Sequence, residues 1–358
     1  MSVGRSALSV GRLLVDFTEF AIPEFDLEKT LNSGQVFHWE KIGNGFAGTI
    51  GDRAVYVEQR DESLRALMEG GAPATPRARR ASGLASHELA PPVMESVSYY
   101  FALDHPLQEI CASFPNDPTM NAARDFCRGL RIIRQPKWEC LATFICSSMK
   151  QVAHIRQISL ALRNRFGDQR KVGSRVVHTF PSPQRIARAS ENELRECKLG
   201  YRAKTLRATA RLVSSDECDL ESWSALPDGN LQKNLCELPG VGVKIANCVM
   251  LFAYARLRAF PIDVWIERVL RQRYFPRRKK MTAQQLREFS ETYFGEHGGY
   301  AQQYLFHHAR IALGKPGVGR DSSTALRFGR NDKGRMRGWK GESVTAAGAQ
   351  VVSPAGLR

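Results

Sequence analysis

The sequence predicts an α+β protein in which an N-terminal antiparallel β-sheet domain is followed by an α-helical body. Residues 46–50 and 54–57 are rich in β-branched and aromatic side chains, and Gly51-Asp52 between them is typical of a hairpin turn. From residue 105 to residue 314, apolar residues recur every three or four positions, which is the period of a helix. The 43% hydrophobic content of the 358 residues excludes a wholly disordered chain.

We divide the chain into three parts on these patterns. Residues 1–104 are the predicted sheet domain, residues 105–314 the helical body, and residues 315–358 a basic tail. The tail has nine Lys and Arg against three Asp and Glu, and few large apolar residues, which indicates disorder. Residues 70–92 are dominated by Gly, Ala, Pro and Ser and are predicted to be a flexible insertion in the sheet domain.

The helical body is predicted to contain several helices. Residues 139–165 keep apolar side chains at spacings of three and four, which predicts a long helical stretch. Residues 229–257 are interpreted as two helices joined by Leu-Pro-Gly-Val-Gly at residues 238–242. The other predicted helices cover residues 191–197, 202–212, 281–294, where Thr282 is a favourable N-cap, and 301–313.

The chain is strongly basic. It has 52 Lys and Arg against 36 Asp and Glu, a formal net charge of +16, of which +10 remains when the tail is left out. This balance favours an anionic partner, with nucleic acid ahead of an acidic membrane surface, and a merely basic protein is the open alternative. No apolar run reaches the roughly 18 residues of a membrane span, so we expect no membrane-spanning helix.

Cysteine usage indicates a reducing compartment. The eight cysteines include no Cys-x-x-Cys pair, which argues against zinc-ribbon and thioredoxin-type sites. Most lie in apolar surroundings and are interpreted as buried thiols. The N-terminus has no apolar core of a secretory signal. We therefore expect a protein that is not secreted, located in the cytoplasm or nucleoid of a bacterium or in the nucleus of a eukaryote.

The turn at residues 238–242 is the strongest chemical signal. Pro239 helps to stop the preceding helix, while Gly240 and Gly242 permit a tight turn and the close approach of another backbone. The next helix then begins with free N–H groups and a positive dipole end, which suit a phosphate. The pattern predicts a grip on a sugar–phosphate backbone without sequence reading, and a plain packing corner is the structural alternative.

Lys244 and Asp263 are the candidate catalytic pair. Lys244 lies in the first turn of that helix among apolar neighbours, and both surroundings disfavour the ammonium form of a lysine. A neutral amine can attack an electrophilic sugar carbon and form a Schiff base. Asp263 follows 19 residues later, where a carboxylate can stabilise an oxocarbenium-like sugar. A solvated lysine and a helix-capping aspartate are the simpler interpretations of each residue alone.

These motifs resemble those of a known enzyme family. A helix-hairpin-helix, a Gly/Pro-rich segment and an Asp define a superfamily of DNA glycosylases, and a lysine at the position of Lys244 marks its bifunctional members. Two stretches resemble the 8-oxoguanine DNA glycosylase/AP lyase family in particular. They are Leu-Asn-Ser-Gly-Gln-Val-Phe-His-Trp at residues 31–39 and Glu-Cys-Leu-Ala-Thr-Phe-Ile-Cys-Ser-Ser at residues 139–148. Segments 199–203 and 299–306 agree, and the resemblance covers about residues 12–313 except the insertion.

The resemblance implies an architecture and an activity. The helical body would have two lobes, with a DNA-facing cleft between them and a helix-hairpin-helix at residues 229–257. The enzyme would flip 8-oxoguanine out of duplex DNA and excise it through a Schiff base on Lys244, then cleave the strand by β-elimination. Asp263 would be the essential carboxylate beside the lysine.

The resemblance also places a base pocket. The backbone carbonyl of Gly34 would accept the N7–H of 8-oxoguanine and would repel the bare N7 of guanine. Gln302 would bind the Watson–Crick edge of the extruded base, and Phe306 and Cys248 would sandwich its ring. Taken alone, Phe306 is more simply a core residue, Cys248 a buried thiol and Gln302 a helix-surface amide.

Two positions depart from the family at the contact with the opposite base. The family has three Asn after Ser148, the first of which contacts the orphaned cytosine, whereas this chain has Met149-Lys150-Gln151. Met149 can still act as an apolar wedge in the base stack, but it reads cytosine poorly. His154 stands where the family has an arginine. We therefore expect a weaker preference for cytosine opposite the lesion.

At other positions of the predicted DNA interface, this chain either keeps the residue of the family or has a different one. Tyr201 would wedge beside the orphaned base, and Arg202 keeps the second cytosine-facing position of the family. Trp265 stands two residues after Asp263, where the family has a phosphate-contacting histidine, so this chain has no histidine there to make that contact.

The resemblance implies double-stranded DNA containing 8-oxoguanine as the partner, a monomer as the active form, and catalysis without a metal or a redox cofactor. A structural monovalent or calcium ion at the hairpin carbonyls is left open. Endonuclease III and adenine glycosylases usually carry four clustered cysteines, and no cysteine follows Asp263 here, while monofunctional alkylbase glycosylases lack the lysine. A non-catalytic DNA-binding module is the alternative of a different class, and it would not need the Lys244–Asp263 pair.

Overall fold

The computed structural model describes residues 7–10, 13–22, 24–69, 93–148, 150–215, 217–278 and 280–312. Its N-terminal strands are β1 (Ala7–Val10), β2 (Leu13–Asp16), β3 (Thr18–Ala21), β4 (Glu40–Ile42), β5 (Gly45–Ile50), β6 (Arg53–Arg60) and β7 (Ser63–Met68). β1 and β2 pair with each other, and the other five form an antiparallel sheet in the order β3-β7-β6-β5-β4. The predicted antiparallel sheet is confirmed, while the predicted insertion at 70–92 and tail at 315–358 lie outside the described residues.

The sheet is built around the hairpin that the sequence predicts. β5 and β6 pair from Gly45 opposite Glu58 to Ile50 opposite Arg53. On one face of this sheet lies Trp39, whose indole N–H donates to the hydroxyl of Tyr100 at 3.0 Å. A Cβ on Gly48 would lie 2.7 Å from the indole ring of Trp39, so only glycine permits this close packing. Helices α1 (Leu27–Asn32) and α2 (Val93–Tyr100) contribute Leu27, Leu31 and Val97 to the same core.

The remaining described chain is mainly helical, with twelve more α-helices. They are α3 (Leu107–Ala112), α4 (Pro118–Phe126), α5 (Lys137–Ser147), α6 (Val152–Phe166), α7 (Pro183–Arg188), α8 (Glu191–Glu196), α9 (Arg202–Ser214), α10 (Asp228–Glu237), α11 (Val243–Phe252), α12 (Val264–Val269), α13 (Ala283–Tyr293) and α14 (Gly298–Ala312). A two-stranded hairpin of β8 (Gln169–Val172) and β9 (Arg175–His178) lies between α6 and α7. The predicted fold class of a sheet followed by a helical body is confirmed.

The local sequence signals explain several helix boundaries. The hydroxyl of Thr282 accepts a hydrogen bond from the N–H of Gln285, and the side-chain oxygen of Gln285 accepts one from the N–H of Thr282, so the predicted N-cap is part of a capping box. The helical stretch predicted across residues 139–165 is two helices, α5 and α6. The guanidinium of Arg202 on α9 donates to the carbonyl of Ser148. Ser148 has left the helical conformation (φ −51°, ψ 125°), so α5 ends there.

A buried ionic network joins the sheet to the helical body. Arg163 on α6 forms an ion pair with Glu139 on α5 and donates to the hydroxyl of Thr49 on β5 at 2.9 Å. His38 lies 3.4 Å from Glu139 and hydrogen-bonds the carbonyl of Thr49 at 2.9 Å. Because all four side chains are buried, the network fixes α5 against the sheet. Within the described ranges, no helix combines the length and the apolar character needed to cross a bilayer.

Candidate active site

The predicted hairpin is formed by α10, α11 and the turn between them. Gly240 has φ +80°, a conformation that L-residues adopt rarely, and a Cβ on it would lie 3.0 Å from Cβ of Thr205 on α9. Thr209, one turn further along α9, donates its hydroxyl to the carbonyl of Pro239 at 2.9 Å. Gly242 is the N-cap residue of α11 and cannot cap the helix with a side chain, so the turn leaves backbone N–H groups at the start of α11.

Lys244 is the second residue of α11 and is half-buried. Its Nζ lies 5.3 Å from the ring centroid of Phe144 on α5, and its charge opposes the rise that burial causes in the pKa of the Cys248 thiol one turn later. Phe144 in turn stacks on Phe252, with ring centroids 5.5 Å apart and planes 9° from parallel. The lysine is therefore held at the edge of the core, between an aromatic ring and a thiol.

Asp263 is the N-cap residue of α12. Its Oδ1 accepts hydrogen bonds from the backbone N–H of Trp265 at 3.0 Å and of Ile266 at 2.9 Å. Burial raises the pKa of Asp263, and the two backbone hydrogen bonds and the charge of Lys244 oppose that rise. The capping role is thus real, and it fixes a partly buried carboxylate within electrostatic range of Lys244.

The structure brings Lys244, Asp263 and Cys248 into one neighbourhood. Burial raises the pKa of the Cys248 thiol, which the charge of Lys244 lowers and that of Asp263 raises. A basic amine, a carboxylate and a buried thiol that all influence one another form a compact polar site at the N-termini of two helices. Such a site can hold a nucleophilic amine next to a group that stabilises positive charge on a sugar.

The predicted base-pocket residues form a second group. Gly34 has φ +89°, and a Cβ on it would lie 3.0 Å from Cε1 of Phe306 and 3.5 Å from Cγ2 of Val152. Gln302 lies one turn before Phe306 on α14, so the two side chains share one helix face. Gln302 is buried, and its Oε1 has no hydrogen-bond partner among the described residues. An unpaired buried acceptor is costly, and it is suited to a ligand that brings a donor.

The loop that carries Gly34 is anchored on both sides. Gln303 donates to the carbonyl of Ser33 at 3.1 Å. The buried amide of Gln35 donates to the carbonyl of Arg131 at 2.8 Å and accepts the N–H of Ile133 at 2.7 Å. These bonds anchor the two residues that flank Gly34. Further along the same segment, Phe37 meets Phe144 edge to face at 6.2 Å, which links the base-pocket loop to the ring beneath Lys244.

The residues predicted to face the opposite base are only partly free for DNA. Tyr201 is 63% exposed and lies on the guanidinium of Arg202, 4.3 Å from ring centroid to Cζ. Arg202 is buried, donating to the carbonyls of Ser148 and Leu199. His154 is exposed in the first turn of α6. Met149 lies outside the described residues.

Sequence reasoning missed the residues that support the candidate catalytic pair. Phe144 lies within the stretch at 139–148 that carried the resemblance, but nothing in its spacing distinguishes it from the other apolar residues of α5. The anchoring role of Gln35 could not be found either, because its partners lie about 100 positions further along the chain.

Two family models match consecutive parts of this chain. The 8-oxoguanine DNA glycosylase N-terminal domain matches residues 19–141, and the HhH-GPD superfamily base excision DNA repair protein matches residues 142–293. The N-glycosylase/DNA lyase OGG1 of Arabidopsis thaliana is 31% identical over 301 residues, which are 79% of this chain and 77% of the plant protein. The chain belongs to the 8-oxoguanine DNA glycosylase family.

Other members of the family agree over most of their length. A probable N-glycosylase/DNA lyase of Methanothermobacter thermautotrophicus is 28% identical over 313 residues, 81% of this chain and 95% of the archaeal protein. The 8-oxoguanine glycosylase/lyase of Clostridium acetobutylicum, solved with double-stranded DNA containing cytosine opposite 8-oxoG, is 25% identical with a TM-score of 0.73. That comparison covers 87% of this chain and 99% of the bacterial one. The predictions of the family and of a base-excision repair enzyme are confirmed.

Proposed function

We propose that this glycosylase excises 8-oxoguanine from duplex DNA by means of a Schiff base on Lys244 and then cleaves the strand as an AP lyase. The observation that carries the proposal is the joint placement of Lys244 and Asp263 at two helix N-termini, in a chain whose relatives are named N-glycosylase/DNA lyase. A backbone clamp alone would need the hairpin but not a lysine and a carboxylate within electrostatic range of each other.

The proposed reaction uses only groups of the chain. Once Lys244 has given up a proton, its amine forms a bond to C1′ of the sugar, while the C1′–N9 bond breaks and its electron pair leaves with the base, which takes up a proton. Asp263 stabilises the positive charge that develops on the sugar as this bond breaks. The C1′–O4′ bond then breaks, O4′ takes up a proton from the nitrogen, and the opened ring carries the protonated imine. Removal of a C2′ proton then expels the 3′ phosphate and cuts the strand.

We propose that selectivity for the oxidised base comes from the pocket at Gly34. Its anchored carbonyl would accept the N7–H that 8-oxoguanine has and guanine lacks. The unpaired Oε1 of Gln302 would accept a hydrogen bond from the Watson–Crick edge of the base. Phe306 and Cys248 would cover the two faces of the ring. A mispaired buried polar group costs about 1–3 kcal/mol, so guanine is rejected mainly by its bare N7.

Reading of the opposite base is proposed to be weak. Met149 and His154 replace the family's cytosine-reading residues. The guanidinium of Arg202 already donates hydrogen bonds to the carbonyls of Ser148 and Leu199 in its own chain. We expect excision rates opposite the four bases to differ by less than about tenfold, compared under single-turnover conditions. A much larger preference for cytosine would contradict this part of the proposal.

The remaining features of the proposal concern partners. The enzyme acts as a monomer on double-stranded DNA, and its basic body holds the phosphates in a salt-sensitive, sequence-independent manner. No step of the proposed reaction uses a metal or a redox cofactor. A structural cation at the hairpin carbonyls stays a prediction.

Borohydride trapping tests the proposed chemistry. The protein is incubated with a duplex containing 8-oxoguanine, and borohydride is added to reduce any imine to a stable amine. We expect a covalent protein–DNA band that Lys244→Gln abolishes. Lys233→Gln, an exposed lysine on α10 of the same hairpin, is the matched control and should trap as the wild type does. No band with any lesion would refute the Schiff base.

A further inference from the structure

Arg310 lies near the end of α14, one turn beyond Phe306, and it connects two parts of the predicted base pocket. Its Nη2 donates a hydrogen bond to the carbonyl of Asn32 at 2.5 Å. Its Cζ lies 5.5 Å from the ring centroid of Phe306. Asn32 precedes Gly34 by two residues, and the Phe306 ring lies directly against Gly34. One side chain therefore ties the loop that presents the Gly34 carbonyl to the ring predicted to stack on the base.

We propose that Arg310 is a positioning residue of the base pocket, which holds the Gly34 loop and the Phe306 ring at a fixed separation and so sets the selectivity for 8-oxoguanine. The inference rests on the proposed function, because the pocket has a ligand only if the enzyme excises a flipped purine. The separation matters because one edge of the purine must meet a carbonyl while its face lies flat on the ring. A displacement of about 1 Å in such an arrangement can cost about 100-fold in rate.

The contacts around the loop leave a specific task for Arg310. Gln303 holds the carbonyl of Ser33, and Gln135 donates to the carbonyl of Gln35 at 2.8 Å. These bonds fix the loop against the body of the protein. Arg310 adds the contact that couples the loop to the position of the Phe306 ring. Its loss should therefore loosen the pocket without unfolding the loop.

The surroundings of Arg310 do not favour a role in stability through an ion pair. No carboxylate of the described residues pairs with it, its Nε has no hydrogen-bond partner among them, and burial lowers the pKa of Arg310. A guanidinium still stays charged near neutral pH. Burying part of a cation without a carboxylate partner costs free energy. We therefore explain the presence of Arg310 by the two contacts that it makes rather than by its charge. The competing explanation is a favourable cation at the C-terminal end of a helix.

Two variants separate these explanations. Arg310→Met removes the charge and the planar fork, whereas Arg310→Lys keeps a cation at the helix end but cannot span both contacts in the same way. Each is assayed under single-turnover conditions on duplexes with 8-oxoguanine or guanine, and on a duplex with a preformed abasic site. Cleavage of the abasic duplex needs Lys244 but no base in the pocket. Arg128→Met, whose side chain is 83% exposed, is the matched control, and thermal unfolding checks that all variants fold.

We expect both Arg310 variants to excise 8-oxoguanine about 10- to 100-fold more slowly, while abasic-site cleavage changes by less than about threefold. Full activity of Arg310→Lys would assign the effect to charge at the helix end and overturn the proposal. Equal losses in excision and abasic cleavage, or no loss at all, would overturn it as well. A wild-type enzyme that cleaves abasic DNA but ignores 8-oxoguanine would refute the proposed substrate, and with it this inference.

Discussion

Asp263 caps a helix, and the catalytic role that we propose for the same carboxylate is one that the sequence could present only as an alternative to the cap. Its carboxylate caps α12 through two backbone N–H groups, and the same cap holds it, partly buried, within electrostatic range of Lys244. Burial raises its pKa while the helix N-terminus and the lysine oppose the rise. The cap interpretation and the catalytic interpretation are therefore compatible, and a substitution can separate them.

Asp263→Asn should separate the cap from the chemistry. Asparagine caps helices about as well as aspartate, so the free energy of unfolding should change by less than about 1 kcal/mol. It carries no negative charge to stabilise the sugar cation, so excision of 8-oxoguanine should fall by about 100-fold or more. Urea unfolding and single-turnover excision give the two quantities. A stable Asn variant with near-wild-type excision would show that Asp263 is only a cap.

The residues with distinctive chemistry were predictable and those that support them were not. Lys244 and Asp263 stand out because a helix start and a fixed spacing surround them. Phe144 beneath the lysine, and Arg310 beside Phe306, have no local signal, since an apolar residue on a buried helix and an arginine near a helix end are both common. Their roles depend on which elements pack together.

At the scale of elements, the hairpin shows how two glycines of one motif differ. Gly240 has positive φ and faces the side chain of Thr205, whereas Gly242 has ordinary φ (−104°) and open space where a Cβ would lie. From the sequence, both glycines are predicted to permit a tight turn and the close approach of another backbone. The structure requires glycine on steric grounds only at Gly240, and it leaves the surface at Gly242 free for a phosphate.

Gly240→Ala and Gly242→Ala form a matched pair. We expect Gly240→Ala to lower the free energy of unfolding by about 1–2 kcal/mol, the cost of a left-handed conformation in an L-residue, with further loss from contact with Thr205. Gly242→Ala should cost about 1 kcal/mol or less, as a poorer N-cap residue. Urea unfolding measures both values. Equal destabilisation by the two substitutions would contradict the assigned turn geometry.

The break between α5 and α6 could not be predicted from hydrophobic periodicity. Apolar periodicity continues across residues 139–165, and it correctly predicts helix on either side. At the interruption, the guanidinium of Arg202, more than 50 positions later in the sequence, donates to the carbonyl of Ser148. A contact so distant in sequence leaves no trace in the local period.

At the scale of the molecule, His105 joins distant parts of the chain. Its Nδ1 lies 2.8 Å from the hydroxyl of Tyr300 on α14, and its Nε2 lies 2.8 Å from a guanidinium nitrogen of Arg134. Because Arg134 can only donate, Nε2 must accept, which requires a neutral ring. Burial and the charge of Arg134 lower the pKa of His105 to about 4.

This arrangement predicts an acid-sensitive fold. In the unfolded chain His105 takes up a proton as the pH falls through about 6.5, whereas in the folded protein it stays neutral down to about 4. The unfolded state then binds more protons, so the free energy of unfolding decreases as the pH falls across this window. His105→Gln should be less stable than the wild type at pH 7, and its stability should depend less on pH. Urea unfolding between about pH 7 and 5 checks this, and parallel curves for the two proteins would contradict it.

We propose Lys244 as the nucleophile, and the position of the trapped DNA adduct in the protein identifies the residue that reacts. The borohydride-reduced complex is digested with a protease and a nuclease, and mass spectrometry identifies the peptide that carries the sugar remnant. We predict that the adduct lies on Lys244 in the wild-type protein and is absent from Lys244→Gln. An adduct on another lysine or on the N-terminal amine, with Lys244 unmodified, would show that Lys244 is not the nucleophile.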